Sequence, residues 1–400
     1  MININNQTIM TFEQLLSDAK QLSKEEKYQE VVDLLTDEIL SSHRSDVLYY
    51  ASGHALYFLD KNDEALAKFS DAIAINYNHK DAFLYRGEIW TEKREYGKAI
   101  DEYNRALEID AACIHTLYSR GNAWKSLQQF EKAIADYEKA IALQPNEWRL
   151  YINRAQSFME INHYEAALED YNTAIQLNPT TGQVYFERGD LWHDMHNYYQ
   201  AIEDYTKGIE LEETYVPAYL YRANCWSLQN NYEKAMADYD KAIEIAPGFS
   251  LSYFHRGISF HQSREPQKAI VDFDMAISLN ANETEFYYKR GMAHTDLKNF
   301  TAAMNDFDKA ISLDQDVALT YYGRGSVWHD TDQYEKAITD LDKAISLEDD
   351  NIVYYIRRGL VWNSLEQYKK ALDDFDKALE IDPSNDLAKG LRDEAKEKML

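Results

Sequence analysis

Nine arginines stand on a 34-residue spacing that never slips: Arg86, Arg120, Arg154, Arg188, Arg222, Arg256, Arg290, Arg324 and Arg358. The residue after each is Gly, except at Ala155 and Ala223. One structural element copied without insertion over this length does not close into a single globular core. A period of about 20–50 residues marks an open array in which each copy buries its apolar face against the next. The length of 400 residues, which alone suggests about two or three domains, therefore reads as one continuous stack.

Each repeat can be numbered so that the ladder arginine is position 7. The repeat starting at Ile114 then carries Leu117 at position 4, Gly121 at 8, Trp124 at 11, Phe130 at 17, Ala133 at 20, Tyr137 at 24 and Ala140 at 27. Apolar residues at 4, 8 and 11, then at 17, 20, 24, 27 and 28, follow the helical period of about 3.6 residues. Asn, Asp, Gln or Gly near positions 15–16 interrupt the pattern. Pro145, Pro179, Pro247 and Pro383 close it, since a proline ends a helix. The spacing predicts an antiparallel helix pair in each repeat and an all-α fold. Position 20 is Ala in every regular repeat from Ala65 to Ala371, and position 24 is Phe or Tyr except at Leu341. A methyl group at 20 lets two helices approach while the ring at 24 fills the space beside it, as dense packing requires.

This helix–turn–helix pattern resembles the tetratricopeptide repeat family, in a form with arginine–glycine at positions 7 and 8. The resemblance implies a right-handed α-solenoid of stacked antiparallel helix pairs wound into a superhelix. Residues 1–45 fit a degenerate repeat with Ala19, Leu22, Tyr28, Val31 and Leu35 at core positions. Residues 46–385 fit ten contiguous repeats, the first with Ser52 in place of the arginine. Residues 386–400 fit a polar capping helix with Ser384 as its N-cap, followed by Leu387 and Leu391.

The family's usual residue at position 7 is Leu, so an arginine there needs a reason. Position 23 is acidic in every arginine-bearing repeat: Glu102, Asp136, Asp170, Asp204, Asp238, Asp272, Asp306, Asp340 and Asp374. In the one regular repeat without the arginine it is Lys68. A turn near position 15 sets residues 7 and 23 level across the hairpin, which favours an arginine–carboxylate pair between helices. Pairing of position 23 with a lysine at 26 is the weaker idea, because Thr173 and Met275 occupy 26 in repeats that keep both partners. The functional alternative is a basic stripe that binds an anionic ligand.

The net charge of −27 repels phosphate backbones, which argues against nucleic acid and anionic membrane surfaces and favours a basic protein or peptide. The same charge also serves simply to keep a long array soluble. The first residues lack the basic and apolar regions of a secretory signal. No apolar run approaches the roughly 18–20 residues that span a bilayer, so a cytoplasmic chain is expected. Cys113 and Cys225 form neither a disulfide framework nor a metal pattern, and Cys225 reads as a buried thiol. No P-loop, dinucleotide glycine pattern, nucleophile elbow or metal-binding His/Cys cluster occurs, so no catalytic residue, cofactor or metal is assigned and the chain reads as non-enzymatic. His193, His261 and His329 recur at position 12 of every second repeat. Packed helices lie about 8–10 Å apart, so these imidazoles are too distant to share one ion and read as independent groove residues.

In the family, first helices line a concave groove, which positions 2, 5, 6, 9, 12 and 13 face. Those positions vary in this chain while the core positions repeat. The groove residues implied are Tyr118, Asn122, Arg149, Asn153, Gln156, Phe186, Asp190, His193, Asn224, Phe254, His261, Tyr288, Tyr322 and His329. Rings at position 5 are candidate anchors, and Asn and Gln are candidate partners for a peptide backbone. The competing reading packs those rings between neighbouring helices. Some family members clamp acidic C-terminal tails with Lys, Asn and Arg. Asn122 and Asn153 match that clamp, but Gln183 and Glu187 stand where its Lys and Arg belong, so an acidic tail is not the expected ligand. Trp148, the one tryptophan outside position 11, is either a contact site or packing in the turn between repeats. The expected function is a non-enzymatic scaffold binding a protein or peptide in the groove. The alternative is a stoichiometric inhibitor, immunity-type or chaperone-like protein that wraps a basic partner.

Overall fold

The computed structural model describes residues 10–399, and its regular structure is helical throughout, with 24 helices from Phe12–Lys24 to Asp386–Met399. Residues 1–9, read above for a secretory signal, and Leu400 lie outside the described residues. From residue 46 the helices alternate in length. A first helix of 13 residues fills positions 1–13 and a second of 14 fills positions 17–30, as in Ile114–Ser126 and Phe130–Leu143.

The chain divides into two compact units, Met1–Met195 and His196–Leu400. In the first, Asp46–Phe58 pairs with Asn62–Ile75, Lys80–Glu92 with Tyr96–Ile109, Ile114–Ser126 with Phe130–Leu143, and Trp148–Glu160 with Tyr164–Leu177. Each second helix also packs on the first helix of the next repeat. The second unit repeats this arrangement from Tyr198–Leu211 to Tyr368–Ile381, on which Asp386–Met399 packs.

The interruption near position 15 is a left-handed turn. Position 15 has positive φ in every regular repeat, for example 59° at Arg94, 57° at Gln128 and 58° at Asn162, and it is never glycine. The Gln128 N–H bonds to the Lys125 carbonyl at 2.9 Å and the Gln129 N–H reaches back to the Trp124 carbonyl at 2.9 Å. This pair of bonds satisfies carbonyls that the helix end would otherwise leave open.

The alanines at position 20 and the rings at 24 are buried as expected; Ala133 and Tyr137 are both fully enclosed. Glycine at position 8 lets that ring lie against the first helix, since a Cβ on Gly121 would sit 2.6 Å from the Tyr137 ring. Ala155 and Ala223 show that the ring can shift to admit a methyl group, for Tyr171 and Tyr239 remain buried beside them. Positions 3 and 10 also belong to the core, as in Thr116 and Ala123 or Val184 and Leu191, although the periodic reading left them out. The tryptophans at position 11 are only half-buried. Lysines from position 19 cover them, with Lys132 4.3 Å from the Trp124 ring centre and Lys336 4.2 Å from that of Trp328.

The ends depart from the simple repeat. In the degenerate repeat the second helix is broken into Tyr28–Leu34 and Asp37–His43, restarted by the Thr36 hydroxyl, which accepts from the Ile39 N–H. Leu15, Ala19, Val31, Leu35 and Leu40 still form its core. At the other end Asn385, not Ser384, caps the final helix by accepting from the Ala388 N–H at 3.0 Å. The Ser384 hydroxyl turns back to Asp382 instead, at 2.6 Å. Leu387 is 62% exposed, whereas Ala388, Leu391 and Ala395 pack inward. Those are positions 3, 6 and 10, so this helix sits in the register of a first helix and carries Arg392 one step beyond Arg358.

Candidate functional site

The arginine ladder consists of paired charges. Arg120 donates from Nε and Nη2 to both oxygens of Asp136, at 2.7 and 2.6 Å. The same two-pronged geometry joins Arg154 to Asp170, Arg222 to Asp238, Arg256 to Asp272, Arg290 to Asp306, Arg324 to Asp340 and Arg358 to Asp374. Arg86 meets Glu102 through Nη2. The aspartates are buried and the arginines about four-fifths so; Asp136 is 3% exposed. Burial raises the Asp170 and Asp374 carboxyls against the pull of their arginines, while the bond to Asp170 holds Arg154 firmly charged. Except at Arg120, where position 4 is Leu117, each guanidinium also lies near the ring at position 4, as Arg222 does at 5.7 Å from the Tyr219 ring centre.

A third partner was not read from the sequence. The remaining nitrogen, Nη1, donates to position 25 of the preceding repeat: Arg120 to Asn104 at 2.7 Å, Arg188 to Asn172 at 2.6 Å, Arg222 to Thr206 at 2.9 Å, Arg290 to Asp274 at 2.6 Å and Arg324 to Asp308 at 2.7 Å. Arg392 continues the series toward Asp376 at 3.7 Å. The run Asp240, Asp274, Asp308, Asp342, Asp376 at one repeat position was the available signal. The arginines thus bind hairpins together, and their donors are committed to the protein rather than offered to an anionic ligand.

On the groove positions of the first unit, the Lys125 ammonium donates to the Asn153 and Gln156 side-chain oxygens at 2.9 and 2.6 Å. The Gln156 amide donates to Glu187 at 2.8 Å, and Gln183 and the Tyr171 hydroxyl donate to the same carboxylate. Burial lowers the Lys125 ammonium and raises the Glu187 carboxyl. This chain spans three successive first helices and borders two open hollows, one lined by Lys125, Gln128, Gln156 and Glu160, the other by Met159, Tyr171, Glu187 and Asp190. The groove assignment named Asn153, Gln156 and Asp190 but omitted Lys125 and Glu187, whose charged residue types on a groove position were the clue.

The other assigned residues divide between exposed and inward-facing. Arg149 is exposed, pairs with Glu147 at 3.3 Å and lies over the half-buried Trp148. Tyr118 is half-buried against Tyr137, and His193 lies 3.7 Å from Asp194. The Asn122 oxygen accepts from the Tyr137 hydroxyl at 2.6 Å, and Asn224 does the same for Tyr239. Their oxygens therefore serve the core. Phe186, Phe254 and Tyr288 are 5, 3 and 9% exposed, so as anchors they are corrected to core rings; Phe254 packs on Phe286 at 4.5 Å. At Phe254, position 5 turns toward the neighbouring helix pair, which buries the ring there. Tyr322 remains half-buried beside Tyr354. His261 and His329 link successive first helices through Asp296 at 2.7 Å and Ser364 at 3.1 Å. Among the described residues no His, Cys, Asp and Glu group has the geometry of a metal site, and no helix is long and apolar enough to cross a membrane. Cys225 is fully buried, and the half-buried Cys113 sulfur accepts from the Thr116 hydroxyl.

Four family models described as tetratricopeptide repeat match the chain, over residues 50–112, over 125–186, over 216–249 and 352–385, and over 284–317 and 318–351. The DnaJ homolog subfamily C member 3 homolog of Dictyostelium discoideum is 30% identical over 105 residues, covering 25% of this chain and 21% of that protein. The match therefore spans about a fifth of that relative's length. Among solved structures, the APC/C hetero-tetramer Cut9-Hcn1 aligns over 96% of this chain and 89% of its own at 16% identity with a TM-score of 0.52. Yeast Tom70 aligns over 96% and 95% at 15% identity with a TM-score of 0.51. A tetratricopeptide repeat protein of Parabacteroides merdae aligns over 62% and 98% at 21% identity with a TM-score of 0.52. At these identities the structural likenesses establish the fold alone.

Proposed function

Because the chain belongs to the tetratricopeptide repeat family, we propose that it is a non-enzymatic interaction scaffold that holds an extended protein segment along the first helices of its repeats. The observation that carries this reading is a division of labour within each repeat. Positions that recur are consumed by the core and the arginine pairs, whereas the first-helix face carries non-recurring polar groups such as Lys125, Gln156, Glu187 and Asp190 beside open hollows. Fold alone does not choose a partner, so specificity falls to these variable groups. The net charge of −27 favours a basic segment, and a cytoplasmic setting belongs to the same proposal.

The test is photo-crosslinking in the native cell. A photoreactive residue replaces Arg149, exposed on the first-helix face, or Glu169, exposed on a second helix. Adducts with the same small set of proteins at 149 and none at 169 are expected. Adducts confined to 169, or equal at both, would refute groove binding.

A further inference from the structure

The first-helix face of the first unit opens a hollow of about 380 Å³ near its N-terminal end, lined chiefly by Leu16, Lys20, Tyr50, His54, His79 and Asp81. Its volume falls at the lower end of the range of about 300–1,000 Å³ common for ligand sites. Leu16 and Tyr50 occupy position 5, Lys20 and His54 position 9, and Asp81 position 2, so the hollow lies on the groove positions although no residue of it was assigned from the sequence.

Three rings form its wall. Tyr50 lies 4.8 Å from His79 and 5.8 Å from His54, centre to centre. The Tyr85 hydroxyl, 3.2 Å from His54 Nε2, fixes that imidazole. Burial pushes the Tyr50 phenol above its ordinary range and the His54 imidazole below its own, so both rings are uncharged near neutral pH. Neutral aromatic faces attract cations. Asp81 is half-buried and makes no ion pair among the described residues, while its neighbour Lys80 gives its ammonium to Asp110 at 2.6 Å. Its negative field reaches Tyr50, His54 and Tyr85. Among the described lining residues the one lysine or arginine is the exposed Lys20, which makes no ion pair with any of the described residues.

We propose that this hollow is a socket for one basic side chain, lysine or arginine, of the extended partner, a proposal that rests on the scaffold reading above. The aliphatic stem of the guest lies against Leu16 and the rings, and its charged head meets Asp81. An acidic guest would bring a second carboxylate toward Asp81, and a purely apolar one would leave that carboxylate desolvated without a counter-charge. Lys20 sets the opposite sign at the rim, so its removal should admit the guest more easily.

The experiment is ligand-observed saturation-transfer NMR on the full chain. The probes are capped tripeptides Ala-Lys-Ala, Ala-Arg-Ala, Ala-norleucine-Ala and Ala-Glu-Ala. Saturation transfer to the lysine and arginine probes is expected, with the norleucine and glutamate probes much weaker. Asp81→Asn should weaken the cationic probes about tenfold, Lys20→Gln should strengthen them, and Asp63→Asn, remote and exposed, should change nothing. The proposal is overturned if the cationic probes do not bind, if Ala-Glu-Ala binds as well, if Asp81→Asn has no more effect than Asp63→Asn, or if Lys20→Gln weakens binding. Failure of these probes with crosslinking at 149 intact removes the socket and leaves the groove reading standing.

Discussion

The rung between Arg256 and Asp272 gives a quantitative test of the arginine ladder. Asp272 is 4% exposed and accepts two bonds of 2.7 Å from Arg256, whose side chain is 20% exposed. Removing one member of a buried pair costs about 3–5 kcal/mol, because the survivor is left desolvated without its counter-charge. Arg256 keeps Asp240 at 2.5 Å, which places Asp272→Ala at the lower end, about 3 kcal/mol. Asp240 is 64% exposed, and its own replacement by Ala should cost less than about 1 kcal/mol. Arg256→Ala should cost about as much as Asp272→Ala, and the double variant should fall short of the sum by about 2 kcal/mol, since the second substitution removes a group already stranded. Native-state hydrogen exchange of the amides in Ser250–Gln262 and Pro266–Leu279 localises the measurement, which matters because an array need not unfold as one block. Additivity within about 0.5 kcal/mol, or equal costs for Asp240→Ala and Asp272→Ala, would refute the pairing as a source of stability.

Two further outcomes follow from the turns and the half-buried His54 imidazole. Arg94 holds φ at 59° and is exposed, so Arg94→Gly should raise stability by about 0.5 kcal/mol, the relief of left-handed strain slightly exceeding the added freedom of the unfolded chain; a lower denaturation midpoint would contradict this. Burial holds the His54 imidazole below its ordinary value of 6.5, so as pH falls through 6.5 the unfolded chain binds the proton first, and stability declines until the folded-state value is passed. Protection of the Asp46–Phe58 amides, corrected for intrinsic exchange, should therefore drop between about pH 7 and 5 more than in His54→Phe, and a rise would reverse the sign of the argument.

The architecture was legible because it rests on recurrence. The alanines at position 20, the rings at 24 and the acid at 23 each appear many times, so their shared physical cause could be inferred from one chain. What was not legible depends on direction rather than residue type. Phe254 at position 5 looks like an anchor in a string of letters, yet the face it occupies turns toward the next helix pair. Asn122 shows a free amide in the sequence, but its oxygen is claimed by a tyrosine on the facing helix. The hollow beside Tyr50 and Asp81 draws on the degenerate repeat, where register is hardest to follow. Position 25 was legible in principle, since aspartate recurs there in five successive repeats, but the arginine that meets it belongs to the next repeat rather than to the same hairpin.

The partner offered at position 25 changes character along the chain. In the first unit Arg86, Arg120 and Arg188 reach the neutral oxygens of Ser70, Asn104 and Asn172, and only Arg154 has an acidic residue, Glu138, at that position. In the second, after Thr206, they reach the carboxylates of Asp240, Asp274, Asp308 and Asp342. Each such exposed bond is worth less than about 1 kcal/mol, but one falls at each successive junction. In a one-dimensional array the strength of these junctions decides how many hairpins open in a single event. The junctions of the second unit are accordingly the ones whose contribution from position 25 should weaken as ionic strength rises, shortening the stretches that open together. The identity of one side chain per repeat thereby sets a correlation length for unfolding.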